Sequence, residues 1–257
     1  MRDDHPFVRW EAGVALASTA ARLQARARLG LPVWVGRSDE MAFSELLTSM
    51  QRGLQASDPQ LRVAMADALG LWNQQAVVEL LILALEDPEA AVRASVAAAL
   101  GTIGDKASVS ALVTALEDTS LWVRRAAADA LGAIGAPQAV AALQLALSDS
   151  HPLVRASVAC ALGHMSTAKA RRALMDCVYD VDPAVRWQAA RGLGMIGGVS
   201  SLPALQHLSE DGTGLLGRSI AEMADSATKA IEGRERGLWS WLRKTFQATQ
   251  RRLRREP

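Results

Sequence analysis

"VRRAAADALGAIG", Val123 to Gly135, is the stretch on which the fold turns. By itself it reads as one short helix. It is rich in Ala and Leu, and Gly135 stands where a left-handed residue would end it. Its copies give it meaning. "VRASVAAALGTIG" (Val92–Gly104), "VRASVACALGHMS" (Val154–Ser166) and "VRWQAARGLGMIG" (Val185–Gly197) align with it without gaps, and "LRVAMADALGLWN" (Leu61–Asn73) precedes them in frame. Arg62, Arg93, Arg124, Arg155 and Arg186 recur every 31 residues, and so do the Leu-Gly pairs beginning at Leu69, Leu100, Leu131, Leu162 and Leu193. A fixed period of this length marks a stack of identical supersecondary units.

Each unit reads as two helices. "ASVSALVTALED" and "QAVAALQLALSD" give the first, and the Val-Arg and Leu-Gly signatures lie on the second. Pro59, Pro152 and Pro183 stand three residues before the repeat arginine, suiting a helix start. Gly104, Gly135 and Gly197 are placed as left-handed C-caps. The glycine of each Leu-Gly pair lies inside a helix at a cost of about 1 kcal/mol, so a close neighbouring helix is expected there.

These units resemble the HEAT-like repeats of phycobilisome-lyase-type proteins. The resemblance covers about residues 58–232, with an outlying match at "DDHPFVRWEAGVAL" (Asp3–Leu16). It implies an all-α fold, a right-handed α-solenoid of antiparallel helix pairs. It also implies a ladder of Asp-Arg pairs, six residues apart: Asp3/Arg9, Asp87/Arg93, Asp118/Arg124, Asp149/Arg155 and Asp180/Arg186. Ala56 replaces the aspartate before Arg62, so a looser joint is expected there.

Four regions follow. Residues 1–30 hold an incomplete N-terminal repeat helix, and 31–39 ("LPVWVGRSD") an apolar insertion loop. Residues 40–232 form the solenoid, ending in a degenerate cap with Gly217 at the arginine position. Residues 233–257 form a basic amphipathic tail. The first helix exposes Val8, Ala12 and Leu16 unless a second copy or a partner covers them, which points to self-association at that edge.

The net charge of +1 is segregated. Residues 234–257 carry eight Lys/Arg against two Asp/Glu, or +6, leaving −5 on the rest. An acidic body lacks the clustered cations that duplex nucleic acid requires. The start has no signal-peptide pattern, no apolar run is long enough to span a bilayer, and two cysteines make no disulfide framework. A cytoplasmic protein, peripheral on the inner face of the membrane, is the expectation.

Projected at about 100° per residue, positions −1, +3, +7 and +10 from the repeat arginine form the core side of each second helix. Positions −2, +2, +5 and +9 lie opposite, the side that lines the concave surface in proteins of this family. That stripe is small and semi-apolar where a solvated face would carry Lys and Glu. Its expected partner-binding residues are Trp122, Asp129, Leu153, Ser157, Cys160, His164, Gln188 and Arg191, with Trp10, Arg125 and Trp187 at its edge. Trp and Arg favour binding hot spots.

Cys160 and His164 share a helix face at i and i+4, the spacing of a thiolate-base pair or half a zinc site. No third ligand recurs at matching positions, so no catalytic or metal residue is assigned and no cofactor is expected. A related iron-dependent hydroxylase family on this scaffold uses His-Glu dipeptides, and the sequence has none. The resemblance to bilin lyase subunits leaves an alternative open: a subunit of a tetrapyrrole-handling enzyme whose groove holds the pigment.

In the tail, Leu238, Leu242, Phe246, Thr249 and Leu253 share a helical stripe. Trp239, Trp241, Arg243, Lys244, Arg251, Arg252, Arg254 and Arg255 supply aromatic and cationic groups suited to an anionic membrane or acidic partner. The sequence therefore reads as a non-catalytic scaffold with a protein partner in its groove and an attachment helix at its end.

Overall fold

A computed structural model describes residues 48–71, 75–215 and 218–253, the side chains of 75, 76, 215 and 238–253 excepted. The expected N-terminal helix at 1–30, the loop at 31–39, Trp10 and the Asp3/Arg9 pair lie outside the described residues, as do Arg254 and Arg255.

A helical stretch at 48–54 leads into α1 (Pro59–Leu71). Four full pairs follow: α2 (Gln75–Ala84) with α3 (Ala90–Ile103), α4 (Val109–Ala115) with α5 (Leu121–Ile134), α6 (Val140–Ala146) with α7 (Pro152–Gly163), and α8 (Ala168–Cys177) with α9 (Pro183–Ile196). The last pair is α10 (Leu202–His207) and α11 (Ile220–Leu253), joined through a two-stranded antiparallel ribbon, β1 (Gly214–Leu215) and β2 (Arg218–Ser219). Otherwise the described residues are an α-solenoid of helix pairs.

The core follows from the repeat. Leu81, Leu112, Leu143, Leu174 and Leu205 of the first helices and Leu69, Leu100, Leu131, Leu162 and Leu193 of the second form two buried leucine columns. Each such side chain contributes about 1.5–3 kcal/mol by leaving water. Val92, Val123, Val154 and Val185, at position −1, are buried as well.

The in-helix glycines set the spacing of the stack. A Cβ on Gly132 would lie 2.8 Å from Ala161 Cα, and Gly70, Gly101 and Gly163 meet the next second helix in the same way. Second helices thus touch main chain to main chain. First helices carry no glycine and are held apart by full side chains. The row of second helices is therefore the shorter, inner row of the bend.

The ion-pair ladder exists, in a register different from the sequence expectation. Each arginine pairs with the aspartate 25 residues ahead, in the following unit. Arg93 Nε and Nη2 donate to Asp118 Oδ2 and Oδ1 at 2.7 and 2.8 Å. Arg62–Asp87, Arg124–Asp149, Arg155–Asp180 and Arg186–Asp211 repeat the pairing. The residue six before the arginine accepts from it with its backbone carbonyl, as Asp87 O does from Arg93 Nη1. The joint at Arg62 is consequently as tight as the others, because Ala56 supplies a carbonyl at 2.7 Å as well as aspartate would.

Three further expectations are corrected. Gly197 is extended, with φ −67°, while Gly104 and Gly135 are left-handed caps. Arg234 from α11 donates to Gly194 O and Gly197 O at 2.7 and 2.8 Å, which satisfies the terminal carbonyls of α9 without a left-handed residue. The last unit slips its frame by four residues. Gly194 meets Ala227, 33 residues on, where the earlier units keep 29. By that spacing Ala221 stands at the arginine position of the last unit, and Gly217, expected there, lies outside the described residues. The basic segment is also no separate element, since α11 runs through the expected boundary at 233 unbroken.

Candidate binding surface

The stripe on the inner row is built by the helix starts and by links between units. Pro152 and Pro183 sit in the first turns of α7 and α9. His151 Nδ1 and Asp182 Oδ1 accept the amides of Leu153 and Ala184. These caps fix Leu153 and Ala184 at position −2 of their helices, and Trp122 holds the same position on α5, whose start has no side-chain cap. Trp122 keeps 56% of its surface exposed and Leu153 40%. At the other end, position +9, Leu71, His164 and Met195 are exposed on their respective units. The stripe therefore spans the second helices along their length.

Polar links cross its middle. Ser95 Oγ donates to Asp67 Oδ1 at 2.9 Å, and Ser157, the equivalent residue two units on, donates to Asp129. Arg125 lies 3.8 Å from the Asp129 carboxylate. Burial pushes the Asp129 carboxyl above its usual value, while the Ser157 hydrogen bond and Arg125 pull it down. Half of its side chain meets solvent, which screens these interactions. Farther along, Arg191 Nη1 reaches Cys160 Sγ at 3.6 Å and Gln188 Oε1 at 3.3 Å. Position +5 thus changes from acidic at Asp67 and Asp129 to basic at Arg191.

Cys160 and His164 form no thiol-imidazole pair. His164 Nδ1 is 3.0 Å from the Cys160 backbone carbonyl, and the thiol faces Arg191. Cys177 is buried in the core, where burial pushes its thiol up to about 12. Among the described residues no group of three His, Cys, Asp or Glu is arranged to hold a metal.

Two expected contact residues are withdrawn from the surface. Trp187 is 5% exposed and belongs to the core. Position +1 lies on the flank that also carries Gly194, the side covered by α11. Each second helix has flanks covered by its neighbours, so a residue there is buried without facing the core side. Ser157 is buried and spends its hydroxyl on Asp129. Arg191 is exposed, and Cys160 and Gln188 are partly buried. Leu71 and Met195 are additions, and their +9 position was the available signal. Trp239, Trp241, Arg243, Lys244, Arg251 and Arg252 lie on the described backbone of α11.

Three overlapping stretches, residues 47–119, 81–161 and 141–224, match the family of HEAT repeats and cover more than half of the chain. The chain belongs to the HEAT-repeat family. No characterised protein sequence matches this HEAT solenoid significantly. An engineered protein shares 22% identity over 72% of this chain and 96% of its own, with a TM-score of 0.55. A designed armadillo repeat protein shares 18% identity over 71% and 98%, with a TM-score of 0.50. The CpcE–CpcF complex of phycocyanin lyase from Nostoc sp. PCC7120 shares 23% identity over 72% and 92%, with a TM-score of 0.37. The first two support the solenoid fold, and the third is too distant to argue from.

Proposed function

We propose that this HEAT solenoid is a non-catalytic scaffold that grips a protein segment along the inner row of second helices. Its basic C-terminal helix attaches it to an anionic membrane surface or an acidic partner. The observation that carries the reading is the pair Trp122 and Leu153, side by side on consecutive units and exposed to solvent. Contiguous exposed apolar surface flanked by polar groups is characteristic of interaction sites. Fixed helix positions also present it without an ordering cost.

The groove is tested by affinity capture with quantitative mass spectrometry, comparing the wild type with Trp122→Ala/Leu153→Ala. Both side chains are exposed, so the variant keeps its fold by circular dichroism. Selective loss of partners is expected, and identical partner sets would refute the groove. No helix among the described residues is long and apolar enough to cross a membrane, so attachment rests on the basic segment. Co-sedimentation with phosphatidylserine vesicles is expected to fall sharply in Arg251→Glu/Arg252→Glu/Arg254→Glu/Arg255→Glu. Unchanged sedimentation would remove the membrane role.

A further inference from the structure

The ladder edge of the solenoid, where first helices turn into second helices, carries more acid than the ladder uses. Each ladder arginine is matched by one aspartate. Glu86, Glu89, Glu117 and Glu210 stand exposed beside those pairs. Between Arg52 at one end and Arg218 at the other, these turns carry no Lys or Arg outside the ladder. The same edge exposes apolar side chains: Leu83 and Leu145, at one repeat position two units apart, and Tyr179 and Val181. Between α4 and α6 it opens a cleft of about 280 Å³ lined by Val113, Leu116, Ala142, Leu145 and Ala146, with Glu117, Ser148 and the ladder residue Asp149 as its polar side. An apolar cleft with a glutamate at its side, on an edge that carries further exposed carboxylates, fits a basic amphipathic helix.

The chain itself contains one. Residues 238–257 carry six Lys/Arg against Glu256, with an apolar stripe at Leu238, Leu242, Phe246 and Leu253. That helix leads away from its own acidic edge. α11 starts at the ladder edge, where Ala221 N donates to Asp211 O, and runs parallel to α9. At the opposite edge Arg234 caps the end of α9. The helix then continues to Leu253, about 28 Å farther at 1.5 Å per residue. Four consecutive turns of the ladder edge, from Glu86 to Asp182, span a similar length at 8–10 Å between helices, about 27 Å.

We infer that the acidic edge of one molecule docks the basic C-terminal helix of a second copy. This inference deepens the attachment role given above to α11, and rests on it, by naming the acidic partner. The contact is heterologous, so a docked pair keeps one helix and one edge free for further copies. It is also salt-sensitive, because the surplus carboxylates are exposed and screened within about 10 Å at 0.1 M salt.

Sedimentation velocity on the full chain tests the docking. Wild type is expected to form concentration-dependent oligomers at low salt that dissociate at high salt. The edge variant Glu86→Gln/Glu117→Gln/Leu145→Ser leaves every ladder pair in place and is expected to associate about tenfold more weakly. The tail variant Arg251→Glu/Arg252→Glu/Arg254→Glu/Arg255→Glu is expected to remain monomeric. Mixed, the two variants are expected to form a one-to-one complex that grows no further, because one retains the helix and the other the edge. Wild type monomeric at every concentration, or an edge variant that associates like wild type, would overturn the docking. Wild type and edge variant that both sediment with phosphatidylserine vesicles but do not self-associate would also overturn it, while leaving the attachment role of α11 standing.

Discussion

At the scale of single residues, the protein's glycines divide by what lies beside them. Gly132 faces the main chain of α7, and a methyl group there would press on Ala161 Cα. Gly233 lies on an exposed face of α11 with nothing within 4 Å. Alanine at either site gains helix propensity of about 1 kcal/mol. At Gly132 the second helices must also separate, an overpacking cost of about 1–3 kcal/mol. Urea unfolding is expected to show Gly233→Ala as stable as wild type or more so, and Gly132→Ala as less stable. Equal midpoints for the two variants would mean that the close helix approach carries no energetic weight. The letters that first suggest chemistry turn out to be structural at this scale. His151 caps α7, Cys177 fills the core, and the His164 ring is tied to its own helix.

At the scale of the helix pair, the ladder joins each unit to the next. The guanidinium hydrogen bonds of Arg93 and Arg124 hold Asp118 and Asp149 below the usual carboxylate value, against the upward push of burial. At Asp87, Asp180 and Asp211 burial pushes up most strongly, and the arginine and amide hydrogen bonds together outweigh it. An unfolded aspartate titrates near 3.9. Carboxyls depressed in the fold therefore give their full stabilisation above about pH 4, and lose it as the pH falls through their lower folded values. The urea midpoint is expected to be flat from about pH 7 to 5 and to fall below about pH 4. Asp118→Ala leaves the Arg93 guanidinium without its carboxylate at a mostly buried site, a loss of about 3 kcal/mol. A midpoint insensitive to both changes would show the ladder to be decorative.

The pairing register also shows where the sequence stops being legible. Asp87 and Arg93 are close along the chain, and both do sit at one turn. Which aspartate meets which guanidinium depends on how the next unit stacks, and a 31-residue period fits a partner six residues back or 25 ahead. The helices, the leucine columns and the glycine contacts were readable because each follows from one unit repeated. The fate of Trp187 was not, since a helical projection has no knowledge of the flank that α11 covers. The frame slip at Ala221 was hidden for a similar reason. Gly217 falls on the period, and only the packing of Ala227 against Gly194 reveals the four extra residues.

At the scale of the whole molecule, the described residues present three surfaces beyond the packed core. The inner row presents Trp122, Leu153, Leu71 and Met195 around a line of polar links. The ladder edge presents surplus carboxylates among exposed apolar side chains. The end of the stack projects a basic helix. The extended faces of a stack of nearest-neighbour units suit extended partners. The scaffold reading stands or falls on the inner row. Site-specific photo-crosslinking tests it most directly, with a benzophenone side chain placed at Trp122, at Leu153, or at Ser110 on the exposed outer side of α4. The same protein partner is expected to be captured from positions 122 and 153 and not from 110. Capture from 110 with none from 122 or 153 would contradict the assignment of the inner row as the binding surface.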